Sequence, residues 1–137
     1  MRPTRALVAV TLTVAVALTA CSQAEDAAKD AAGDAACSVA RSAVDEAGRQ
    51  AGNAVDEIGA DPQAAEGDLR NVRDALATAE KGVSGDTKDK LADARSAVER
   101  LLGQAEDAAR GAEVDTTAVQ DAKGDLDRAV ADVKQLC

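Results

Sequence analysis

A chain of 137 residues with no histidine and no aromatic residue has no Ser-His or Cys-His nucleophile pair and no imidazole metal ligand. It also lacks the stacking surfaces used to recognise bases and sugars. Its formal net charge of −9 repels phosphate backbones and anionic headgroups, so no nucleic-acid partner is expected.

The chain opens MRPTRALVAVTLTVAVALTACS. Arg2 and Arg5 form a short positive region, and Ala6 to Ala20 is an uncharged apolar run ending in small residues. This is the layout of an export signal, and it is short of the roughly 20 apolar residues a membrane span needs. Its last residues and the cysteine after them, Leu18-Thr19-Ala20-Cys21, resemble the lipobox of bacterial lipoproteins. The resemblance implies diacylglycerol on the Cys21 sulfur, cleavage before Cys21, and a cell-membrane location facing the extracytoplasmic side. Each buried lipid CH₂ contributes about 0.8 kcal/mol, so two acyl chains hold a protein durably at a bilayer. Residues 1–20 are then discarded and take no part in the fold. Loss of Arg2 and Arg5 takes the formal net charge from −9 to −11, so the attachment rests on lipid and not on a basic patch.

Residues 22–36, SQAEDAAKDAAGDAA, carry only alanine at their apolar positions, and Gly33 interrupts them. With Cys21 they read as an Ala/Asp-rich tether, residues 21–36, or as a helical extension of the first helix. Extended, such a segment reaches about 50 Å; as helix, about 22 Å.

Beyond it, apolar residues recur at intervals of three and four in four sets. The first is Cys37, Ala40, Val44, Ala47, Ala51, Ala54 and Ile58. The second is Ala65, Leu69, Val72, Leu76, Ala79 and Val83. The third is Leu91, Ala94, Val98, Leu101, Ala105 and Ala108. The last is Val119, Ala122 or Lys123, Leu126, Val130, Val133 and Cys137. Such spacing marks one stripe along an α-helix, as in coiled coils. No useful length alternates at period two, so strands are not expected. The breaks between sets carry turn and cap residues. Gly59-Ala60-Asp61-Pro62 supplies a glycine past one helix, an N-cap aspartate and a proline at the first position of the next. Gly82 to Thr87 and Gly111 to Asp115 make two further turns. Four helices follow, at about 38–58, 61–82, 86–110 and 115–136. Short connections make neighbours antiparallel. The expected fold is all-α: an up-down-up-down four-helix bundle spanning residues 37–137. One feature opposes it. Leu, Ile and Val make up roughly 15% of residues 21–137, and with high net charge that is a composition of disordered chains.

An up-down-up-down path returns the end of the fourth helix to the level where the first begins. Cys37 opens the first stripe and Cys137 closes the last, and exported proteins keep disulfides. A Cys37–Cys137 bridge is therefore expected, with free thiols or an intermolecular bridge as the alternatives. Gly48 and Gly52, four apart, suit either a close helix contact or the solvent side.

No other pattern carries chemistry. The P-loop is absent, and Asp125 and Asp127 lack the glycine and glutamate spacing of an EF-hand. Asp45, Glu46, Asp56 and Glu57 suit a weak cation site or a plain polar face. No catalytic residue, metal ligand or cofactor is expected, and alanine seams leave little room for a ligand cavity. The expected function is that of a non-enzymatic spacer or docking module for another envelope protein. The alternatives are a binding module for a small apolar or cationic ligand, or an acidic tether that folds on a partner.

Overall fold

The computed structural model describes residues 20–137, with side chains from residue 28 onward. The expected signal segment lies outside the described residues apart from Ala20, and the Cys21 side chain lies outside them too. The described chain is four α-helices and no strand: α1 Ala20–Glu57, α2 Pro62–Glu80, α3 Gly85–Ala109 and α4 Thr116–Leu136. Three of the four agree with the spacing to within two residues. The exception is the start of α1, where residues 22–36 are helical. Alanine is the strongest helix former, and the single Gly33 costs only about 1 kcal/mol. The chain divides between Ala32 and Gly33, and the core lies wholly in the unit Gly33–Cys137.

Each helix boundary has a local cause. Asp61 Oδ1 accepts from the Ala64 amide at 3.1 Å, and Pro62 follows as the first helical residue. Gly59 does not take the left-handed conformation expected of a helix-ending glycine. The end of α1 is closed instead by the Ala60 and Asp61 amides on the Glu57 carbonyl, at 2.9 and 2.7 Å. The left-handed glycines are Gly85 (φ 58°) and Gly111 (φ 88°). Gly111 ends α3 in a Schellman motif: its amide donates to the Ala108 carbonyl, and the Ala112 amide donates to that of Asp107.

Asp115 caps α4 with one carboxylate oxygen, which accepts from the Thr117 and Ala118 amides at 3.0 Å each. Its own amide donates to Gln104 Oε1 at 3.1 Å, which ties the turn back onto α3. Replacing Asp115 by alanine is expected to lower the unfolding free energy by about 1 kcal/mol. Ser84 precedes α3 but makes no side-chain cap bond, so Ser84→Ala should change it by less than about 0.5 kcal/mol. Urea titrations of the two variants check the contrast.

Among the described residues the core holds 23 buried apolar side chains and no buried polar or charged one. Ile58, Leu69, Leu76, Leu91, Leu101 and Leu126 are its largest members, and alanine and valine fill the rest. The expected stripes lie at its centre, with corrections at their flanks. Ala97 and Leu102 are buried as well, because α3 packs against both α2 and α4. A helix between two neighbours buries a wider stripe than a coiled-coil seam. On α4, Ala122 is the buried choice over Lys123. Ala129 is buried there, while Val130 is only half-buried. Gly48 faces α4: a Cβ placed on it would lie 3.9 Å from Val130 Cγ2. No atom comes that near a Cβ placed on Gly52.

Contacts between helices run in falling register. Arg70 meets Glu106 and Arg95 meets Glu80 between α2 and α3. Arg100 meets Asp125 and Lys90 meets Asp132 between α3 and α4. Residue numbers rise on one partner as they fall on the other.

Candidate functional site

Three places concentrate the chemistry of the described residues: a disulfide, an apolar groove and a charged trench. Cys37 and Cys137 are bonded, with their Cα atoms 5.2 Å apart and 100 positions between them in sequence. That separation lies within the range a bridge requires. The bridge joins the first turn of the α1 core stripe to the last residue of the chain. Both cysteines are half-buried. Around them the Arg41 guanidinium donates to the Lys134 carbonyl at 3.3 Å, and the Lys134 ammonium pairs with Asp45. The Thr87 hydroxyl, in the first turn of α3, lies 4.0 Å from Cys137 Sγ. A disulfide sulfur carries no hydrogen, so in this contact the hydroxyl donates. An open pocket of about 570 Å³ reaches the bridge, lined by Asp34, Arg41, Ser42, Asp45 and Leu136 beside the cysteines.

The groove lies between α1 and α2 and measures about 580 Å³. Ala43, Ala47, Val72 and Ala75 make its floor, Val39 stands at its edge, and Ser38, Ser42, Gln50 and Asn71 are among its polar lining residues. Val39 is 61% exposed, the most of any large apolar side chain in the described residues. Alanine seams were expected to leave little room for a ligand cavity. They do close the core, but outside it Ala and Ser flanks leave an open trough where larger side chains would have filled the surface.

The trench runs between α3 and α4, and its charges are paired. Arg100 donates to Asp125 at 2.6 Å, Arg128 lies 2.7 Å from the other Asp125 oxygen, and Lys90 pairs with Asp93 and Asp132. The Arg100 hydrogen bond, seconded by the charge of Arg128, holds the Asp125 carboxyl below its ordinary range. The hydrogen bond to Asp93 raises the Lys90 ammonium above its own. Exposed pairs of this kind contribute about 0–1 kcal/mol each. They fix register more than they stabilise.

The four carboxylates weighed as a cation site do not form one. Asp45 pairs with Lys134, while Glu46 pairs with Arg49 and accepts from Gln50. No group of three or more His, Cys, Asp or Glu among the described residues is placed to hold a metal ion. Asp125 and Asp127 are likewise engaged, with Arg100 and Lys123. Among the described residues no helix is long and apolar enough to cross a membrane. No protein-family model, no curated protein and no solved structure matches the chain.

Proposed function

We propose that the chain is a lipid-anchored protein of a bacterial cell envelope, attached through Cys21 and facing the extracytoplasmic side. Its folded part would be an up-down-up-down bundle acting without catalysis, as a spacer or a docking module for another envelope protein. The observation that carries this reading is the pairing of the cysteines. The chain has three, and Cys37 and Cys137 are bonded to each other. The remaining one is the cysteine of the LTAC motif, set behind an apolar run and two arginines. A bridge of this kind also fits a compartment where disulfides persist. The falling register of contacts between successive helices supports the bundle topology.

The groove between α1 and α2 favours docking over a purely passive spacer, since its floor is apolar and Val39 is exposed beside it. The same groove is the one observation behind a second reading, a binding module for a small apolar or cationic ligand. Small-molecule sites enclose most of their ligand, whereas this trough is open along its length, and the docking reading is preferred. Crosslinking from position 39 in intact envelopes separates the two: a protein adduct supports docking, and its absence with saturable uptake of a small apolar probe supports the second reading.

The anchor has its own test. Cys21→Ala should move the protein from the membrane pellet to the soluble fraction or keep it as the uncleaved precursor. Incorporation of a fatty-acid label should fall to background. Labelling that persists in the variant would contradict lipidation at Cys21.

A further inference from the structure

We propose that the Cys37–Cys137 bridge is a reducible latch whose opening by a dithiol frees α1 from the bundle while α2, α3 and α4 stay packed.

Three observations lead there. The first is access. The bridge is half-buried at the end of an open pocket lined by Asp34, Arg41 and Asp45, so an incoming thiol reaches it through solvent and not through a closed core. The second is the leaving group. A thiolate of the reductant attacks Cys37 Sγ, the S–S bond breaks, and its electron pair leaves on Cys137 Sγ. The Thr87 hydroxyl, 4.0 Å away, stabilises that developing thiolate. The second thiolate of the reductant then displaces Cys37, the reductant is oxidised to its disulfide, and both protein thiolates take protons from water. Low leaving-group pKa speeds such exchange.

The third observation is what holds α1. Its buried residues are Ala40, Val44, Ala47, Ala51 and Ala54, with Ile58 just past its end. Leucines are absent from that face, while α2, α3 and α4 all bury at least one. Apolar burial scales with area, so α1 gains least from docking. The inter-helix ion pairs of the rest of the bundle link α2 to α3 and α3 to α4. Among the described residues, the side-chain polar and covalent ties from α1 to other helices go to the last residues of the chain: Cys37 to Cys137, Arg41 to the Lys134 carbonyl, Asp45 to Lys134. One end of one helix pair therefore holds the segment with the weakest core contact. Without the bridge, opening of α1 becomes the least costly departure from the native state, and a unit of this kind opens separately from the rest.

The test is amide hydrogen exchange by mass spectrometry on the full chain, oxidised and after dithiothreitol, with Cys37→Ser/Cys137→Ser as a reductant-free equivalent. Protection over residues 40–57 should fall about tenfold or more beyond any fall over residues 91–105. Equal loss in the two segments, including complete unfolding of the variant, or unchanged protection in α1 would overturn the latch. A bridge that resists millimolar dithiothreitol under native conditions would overturn it as well. Thr87→Val should slow reduction several-fold while leaving α1 protection in the oxidised protein unchanged; an unaltered rate would overturn the leaving-group assignment.

Discussion

Replacing Cys37 and Cys137 together by serine should lower the unfolding free energy of the domain by about 4–5 kcal/mol. The bridge closes a loop of 100 residues, and in the chain-entropy model a loop of that length contributes about 4.7 kcal/mol by restricting the unfolded chain. Small domains have totals of about 5–15 kcal/mol, so the loss is a large share of what holds this one together. Serine is the suitable replacement because both positions are half-buried and open to water, which leaves no new polar group stranded. With no Trp, Tyr or Phe in the chain, intrinsic fluorescence cannot follow the transition. Far-UV circular dichroism in urea does. A difference under about 1 kcal/mol between the oxidised protein and the variant would show that the bridge is incidental to stability.

Leu101→Ala is the second large effect, expected at about 3–5 kcal/mol. Leu101 lies near the middle of α3 and is fully buried. The cost of such a truncation combines lost transfer energy with the cavity left behind, and it is greatest where the surroundings cannot collapse. Here they cannot readily do so. Most of the core is alanine and valine on rigid helices, with no methionine in it and no aromatic ring to swing into the space. Leu136, 46% exposed in the last turn of α4, gives the control: its truncation to alanine should cost less than about 1 kcal/mol. Equal costs at the two positions, read from the same urea curves, would mean that the packing described does not govern stability.

Much of this architecture is legible from residue spacing. Alanine in the stripes is nearly silent on a hydropathy scale, yet Ala40, Ala47, Ala51 and Ala54 are all buried, because three-four spacing fixes the face whatever side chain occupies it. The bridge is legible for the same reason. Cys37 and Cys137 end the first and last stripes, and the two are bonded. The flanks of the stripes are less legible. Ala97 and Leu102 are buried because α3 has neighbours on both sides, which a single stripe does not register. Gly59 shows the limit of turn signals: a glycine past a helix end permits the left-handed cap but does not impose it, and backbone bonds to the Glu57 carbonyl do the work instead.

The groove between α1 and α2 is illegible for a different reason. Its lining includes residues outside the core stripe, such as Ser38, Ser42 and Ala75, and their shortness matters only once two helices lie side by side. The proposed anchor is the reverse case. It is read entirely from LTAC and the residues before it, and packing does not bear on it.

The proposed anchor and the observed clasp meet in one quantity, the intact mass of the protein extracted from membranes by detergent under non-reducing conditions. The expected species is a chain that begins at Cys21, heavier by a diacylglyceryl group and lighter by the two hydrogens of one internal bridge. A chain that retains residues 1–20, carries no acyl group, or has Cys37 and Cys137 open to alkylation before reduction would contradict it.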